Sequence, residues 1–265
     1  MSILVVADLH LDMWLAEGRD PFADLAGGLL RDLEALIVAG DLSNKPKVRW
    51  PRMLAHLARY IAPGRIHVMP GNHDYYDHVL DGDARLAQIC AAAGTNFVQQ
   101  GEIRSGALRV LCCTLWTDFA LSGDVDGAMR AAQARMNDYR HIRLAGQGYR
   151  RIRPSDTVQV HAAHRAWLEE RLSKPHPGRT LVVSHHAPHP GLLAPGMDEL
   201  APAYGSDLSG LMGPAGPDLW FSGHTHHAAE TQLGRTRLRN VSLGYPDQVG
   251  KGHEARILLR GLIEG

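Results

Sequence analysis

Five short apolar runs in this chain each end in a polar signature, and no other feature constrains its fold as much. Residues 3–7 lead into Asp8-Leu9-His10, residues 35–39 into Gly40-Asp41, and residues 65–69 into Pro70-Gly71-Asn72-His73-Asp74. Residues 179–183 lead into Ser184-His185-His186-Ala187-Pro188, and residues 218–221 into Gly223-His224-Thr225-His226. Aliphatic, β-branched runs of this length, bounded by turn formers, read as buried strands. Residues 108–115, 236–241 and 256–260 read as three more. Helical patterns lie between them at 20–33, 47–61, 82–93 and 157–173. The first opens on Asp20-Pro21, a cap followed by a first-turn proline. The last sets Ala162, Ala166, Leu168 and Leu172 near one face. Early strand–helix alternation followed by strand-rich sequence predicts an α/β sandwich of two packed sheets with helices outside.

Open α/β sheets bind ligands in the crevice beyond the carboxyl ends of their strands. Here five strand ends bring oxygen and nitrogen donors to one such edge. Asp8 and His10 lie two apart, so an extended chain turns both to one side, where they can grip one ion. His224 and His226 share that spacing. Gly40, Gly71 and Gly223 each precede a donor and let the backbone approach an ion closely. Carboxylate, imidazole and amide donors without thiolate suit Mn, Fe or Zn. The donors Asp8, His10, Asp41, Asn72, His185, His224 and His226 are too many for one tetrahedral zinc. They suffice for two ions sharing a carboxylate, and two ions about 3.5–4 Å apart clamp in-line displacement at phosphorus.

The ordered set DxH, GD, GNHD, a strand-end histidine and GHxH resembles the calcineurin-like metallophosphoesterases, from Asp8 to His226. The resemblance implies a four-layer sandwich, two mixed β-sheets packed together and flanked by helices. It also implies two divalent transition metal ions (Mn, Fe or Zn). Asp8, His10 and His226 would hold the first ion and Asn72, His185 and His224 the second, with Asp41 bridging. His185 is the ligand in SHHAP by similarity, not His186. His73 would face substrate and stabilise or protonate the leaving oxygen, and Asp74 would orient His73. The implied reaction is hydrolysis of a phosphate ester by a hydroxide held between the ions.

Asn44, Tyr75, Trp116 and His186 follow the donor motifs or strand ends and are the candidate substrate contacts; for Tyr75 and Trp116 the competing role is packing. No arginine stands beside GNHD or SHHAP, as a dianionic monoester would ask. Tyrosine, histidine and tryptophan there suit a phosphodiester with an organic group on each side, a small organic or nucleotide diester. The alternatives are a phosphomonoesterase or protein phosphatase on the same site, or a catalytically silent scaffold. The complete donor set argues against the last.

The remaining features set bounds. The 265 residues fit one domain, with an insertion at about 117–154 as a cap and a Pro/Gly-rich loop at about 188–217. Loops of that length are usually lids or binding loops. In the insertion Arg130, Arg135, Arg140, Arg143, Arg150, Arg151 and Arg153 outnumber the acids. Lys+Arg and Asp+Glu are 28 each, which argues against broad capture of nucleic acid or an anionic membrane. The partner expected is therefore a small phosphate ester. Three cysteines without CxxC suggest neither a disulfide framework nor a thiolate metal site. The first strand runs straight into a donor motif, so the expected location is the cytoplasm.

Overall fold

The computed structural model describes residues 2–25, 28–214 and 216–264. In chain order its strands are β1 (Ser2–Val6), β2 (Ala35–Ala39), β3 (Ile66–Met69), β4 (Asn96–Phe97), β5 (Gly101–Ser105), β6 (Leu108–Cys113), β7 (Arg143–Leu144), β8 (Arg150–Arg151), β9 (Thr180–Ser184), β10 (Leu219–Ser222), β11 (Glu230–Leu233), β12 (Thr236–Asn240) and β13 (Leu262–Glu264). The helices are α1 (Leu11–Ala16), α2 (Leu29–Asp32), α3 (Pro46–Leu57), α4 (Asp83–Ala92), α5 (Val125–Arg135), α6 (Asp138–His141), α7 (Pro154–Leu172), α8 (Ala201–Tyr204) and α9 (Glu254–Leu258).

Two mixed sheets form, in the orders β13-β1-β2-β3-β4 and β11-β12-β10-β9-β6-β5. The strands bearing donor motifs, β1, β2, β3, β9 and β10, run parallel within their sheets, so their carboxyl ends share an edge. Period-two alternation builds the layers. Ile3, Val5, Ile37, Val110, Cys112, Leu181 and Val183 meet between the sheets. Leu4, Val6, Leu36 and Val38 turn outward into a core with the helices, and Leu111, Val182, Trp220 and Leu238 do the same on the far side. The four-layer sandwich of two mixed sheets flanked by helices is thus the observed fold. No helix among the described residues is long and apolar enough to cross a membrane.

Three expectations change. The helix expected at 20–33 is only α2, preceded by turns at Pro21–Asp24; Ala26 and Gly27 lie outside the described residues. Asp20 is drawn away from continuing a helix: it accepts from Phe22 N and from the Tyr60 hydroxyl. The strand expected at 256–260 is helix α9 and a following turn, and the last strand is β13, antiparallel to β1. Glu-Ala-Arg-Ile-Leu is a run of mostly good helix formers, and helical propensity prevails there over aliphatic content. On α7 the buried stripe is Thr157, His161, His164 and Leu168, while Ala162 and Ala166 are exposed. The two histidines answer backbone needs of the facing chain: His164 Nδ1 accepts from Leu115 N, and His161 Nδ1 donates to the Trp116 carbonyl.

Candidate metal centre

The donors converge, but not by extended spacing. Asp8, His10, Asp41, His224 and His226 all have positive φ, from 38° to 68°. The same-side argument for Asp8 with His10, and for His224 with His226, therefore fails in its geometry. Each pair is gathered by a left-handed kink past the strand end, a conformation costly for most residues and tolerated best by Asn, Asp and His. Gly40 and Gly71 allow the sheets' loops to meet. A Cβ on Gly40 would overlap the His185 ring, and one on Gly71 would overlap Asp41 Oδ1.

Hydrogen bonds behind the donors decide which atoms face the centre. His185 Nδ1 donates to the Ala39 carbonyl at 3.1 Å, which leaves its Nε2 as a lone pair. That lone pair stands 2.9 Å from Asn72 Oδ1, another acceptor. Gln248 Oε1, which accepts from Tyr245 N, also takes the His226 Nδ1 proton at 2.8 Å. His226 Nε2 then stands 3.1 Å from Asp8 Oδ1 and 3.3 Å from His10 Nε2. Asp41 lies between the two groups, with Oδ2 3.7 Å from His10 Nε2 and Oδ1 3.5 Å from His185 Nε2. The Nε2 of His224 is buried without a hydrogen-bond partner.

Electron pairs facing one another at such distances in a buried place fit cations between them. Among the described residues, three side-chain groups could each hold an ion: Asp8, His10 and His226; His10, Asp41 and His73; and Asp41, His185 and His224. The electrostatics of the ion-free chain agree. Burial, with the charges of Asp8 and Asp74, raises Asp41 well above the usual carboxylate range. Burial opposes a charge on His226, yet Asp8 beside it wins and raises its pKa. A proton there stands in for a metal ion.

His73 stacks on Tyr76 with ring centroids 4.3 Å apart, and its Nδ1 donates to Asn44 Oδ1 at 2.8 Å. Burial first, then His185, lowers its pKa to about 3. Asn44, not Asp74, is what orients His73. Asp74 is buried and accepts from the backbone N–H groups of Asp41, Ser43 and Gly71 and from Trp50 Nε1. Its expected role on His73 is thus replaced by another: it clamps the two loops that carry Asp41 and Asn72.

The other candidate substrate contacts turn inward. The Tyr75 hydroxyl donates to Asp83 inside the core. Trp116 is buried and stacks on His186 at 5.0 Å, and His186 lies in turn 4.3 Å from His224. These residues back the centre and do not line its opening. The opening is a cavity of about 360 Å³, walled by His73, Tyr76, Asp138, Tyr204, His226 and Tyr245 among others. Tyr204 stacks on His224 at 4.7 Å, and Tyr245 tilts over His10 at 4.4 Å. Met136, Met197 and Leu200 complete it. Of the adjacent Tyr75 and Tyr76, both open from sequence to either stacking on substrate or packing, Tyr76 is the one on the cavity wall; sequence reasoning missed Tyr204, Asp138 and Gln248 altogether. The 117–154 arginines mostly face elsewhere: Arg135 lines this cavity and pairs with Glu199, while Arg140, Arg143, Arg150, Arg151 and Arg153 line a separate groove.

The sequence matches the family model described as calcineurin-like phosphoesterase over residues 1–228. The chain belongs to that family. As a calcineurin-like phosphoesterase it is a metal-dependent phosphoric ester hydrolase. No curated protein matches the sequence. Among solved structures, a phosphopantetheinyl hydrolase from Mycobacterium tuberculosis is similar with TM-score 0.68 and 19% identity, over 93% of this chain and 90% of that one. A sulfate thiohydrolase from Thermus thermophilus has TM-score 0.45 and 12% identity, over 91% of this chain and 51% of that one. The first likeness bears on the fold of the phosphoesterase.

Proposed function

We propose that this phosphoesterase uses two divalent transition metal ions to hydrolyse a small phosphodiester. The observation that carries the two-ion reading is Asp41, whose two carboxylate oxygens face opposite donor groups. Asp8, His10 and His226 would hold one ion, and Asn72, His185 and His224 the other. Bound ions supply Lewis acidity toward the phosphoryl oxygens and make water nucleophilic near neutral pH. The chain's own residues then do the rest. His73, fixed at Nδ1 by Asn44, directs Nε2 toward the centre and interacts there with the leaving oxygen. Tyr76, Tyr204 and Tyr245 enclose the reacting group and exclude water.

The diester reading rests on the cavity wall. Three tyrosines, two methionines and Leu200 suit an organic arm, and the one lining arginine, Arg135, is engaged by Glu199. A second anionic charge on phosphate finds no free guanidinium among these lining residues. The fold neighbour's name adds a phosphopantetheinyl ester to the substrates worth testing. The test compares bis-p-nitrophenyl phosphate, p-nitrophenyl phosphate and a phosphopantetheinyl ester on Mn-loaded protein. A higher kcat/KM for the diester is expected. A clear preference for p-nitrophenyl phosphate would replace this reading with a monoesterase on the same centre.

A further inference from the structure

Asp138 comes from the 117–154 insertion, far in sequence from every donor motif, yet it reaches the centre. It is 3% exposed, and its Oδ1 accepts from Asn72 Nδ2 at 2.8 Å. A carboxylate can only accept, so it admits one orientation of the Asn72 amide: nitrogen toward Asp138, oxygen toward His185 Nε2. Its other oxygen, Oδ2, is buried and makes no hydrogen bond of ordinary geometry, with the Tyr76 hydroxyl the group nearest to serving it. An acceptor left so is costly to a fold with no nearby positive charge.

Charge balance points the same way. Two divalent ions bring four positive charges, and the proposed ligands Asp8 and Asp41 answer with two. Two more buried carboxylates touch the loops or side chains that carry ligands: Asp74, which clamps backbone, and Asp138, which holds the Asn72 side chain. With both ionised the carboxylates cancel the charge of the ions before any hydroxide or substrate is added, in a region where uncompensated charge is expensive.

We infer that Asp138 is a positioning residue for the metal on the Asn72, His185 and His224 side: it fixes the amide oxygen of Asn72 toward that ion and supplies a compensating charge. This rests on the two-ion reading. Outer partners of this kind set metal affinity by about 10- to 100-fold.

The test is calorimetric titration of Mn into ion-free protein, wild type and Asp138→Asn, with thermal midpoints of the ion-free forms. Asparagine keeps an acceptor for Asn72 but removes the charge and the one-way orientation. One of two sites should weaken about 10- to 100-fold while the other stays within about threefold. The ion-free midpoint should hold or rise, because a buried charge with no cation beside it is gone. His185→Ala, which removes a ligand from the same side, identifies the site: Asp138→Asn should add little to it. Unchanged affinities would overturn the inference. So would a joint fall of both affinities and the ion-free midpoint, the mark of a merely structural role. Wild type taking up a single ion would overturn the two-ion reading instead, and Asp138 is then judged by whether its substitution weakens that ion.

Discussion

The two walls of the site are built from unlike material. The inner wall is made of strand ends, with Asp8, Asp41, Asn72, His185 and His224 buried and each held from behind by a hydrogen bond, a stacked ring or a clamped loop. The outer wall comes from the 117–154 and 188–217 segments, with Met136, Met197, Leu200 and Tyr204. Its two segments are tied by the Arg135–Glu199 ion pair, both of whose side chains are more than half exposed. Exposed pairs contribute about 1 kcal/mol or less. The difference teaches a division of labour. The candidate donors sit in a packed, buried layer, and the wall that the proposed organic arm would meet is tied across by an exposed pair.

That division can be broken by substitution, and the inner wall should yield first. Asp41→Asn should remove both ions' shared ligand and lower kcat/KM by about 10⁴-fold, with metal analysis finding both sites impaired. One tight ion left in the variant would refute the bridging assignment. His73→Ala should lower kcat by about 10²–10⁴-fold at nearly intact metal content. This measurement matters because the His73 ring lies as near Asp41 and His10 as ligands lie to one another. Loss of an ion in this variant would make His73 a ligand.

Support behind the inner wall should be sensitive to acid. Burial first, then His161, lowers the His164 pKa to about 4. The unfolded chain takes up this proton near pH 6.5 and the folded one does not. The stability it confers is therefore whole above pH 6.5 and is lost as pH falls toward 4, about 3 kcal/mol in all. Denaturant titrations across that window should show a shallower loss for His164→Asn than for wild type, and equal slopes would exclude His164.

The outer wall should respond more mildly. Tyr204→Ala should raise KM for a bulky diester about 10-fold and change kcat little, since an arm far from the reacting bond contributes mainly uniform binding. An equal loss with a minimal dimethyl phosphate-type substrate would mean that Tyr204 instead steadies His224. Smallest of all is joint replacement of Arg150, Arg151 and Arg153 by Gln. They line the separate groove, so steady-state constants should stay within about twofold. A larger rise in KM would extend the outer wall to that groove.

The same contrast explains what could be read beforehand. The inner wall was legible because a donor set must sit at short spacing after strands that the hydrophobic pattern already marks. Even there the means was misread: the kinks at Asp8 and His10 leave no trace in spacing. Asn137-Asp138 reads as an ordinary helix cap, and nothing local tells that the carboxylate points at Asn72. Tyr75 and Tyr76 are neighbours of one type, and a turn at His73–Tyr75 sends one to the core and the other to the cavity. Tyr204 ends the short helix α8, whose place depends on contacts with α5 that no periodicity encodes.

The kinked backbone also limits what can replace the residues that sit on it. At Asp8, His10, Asp41, His224 and His226 the chain is left-handed, and that region favours a short list headed by glycine, asparagine, aspartate and histidine. Glutamate could reach an ion from such a place by its length, but loses the backbone preference that aspartate brings; threonine and valine are excluded by their branching. The permitted alphabet at each position is thus narrowed twice, by what an ion accepts and by what the turn allows. On the proposed ligand assignment Asp, Asn and His meet both demands best, so substitutions at these five positions should be tolerated poorly.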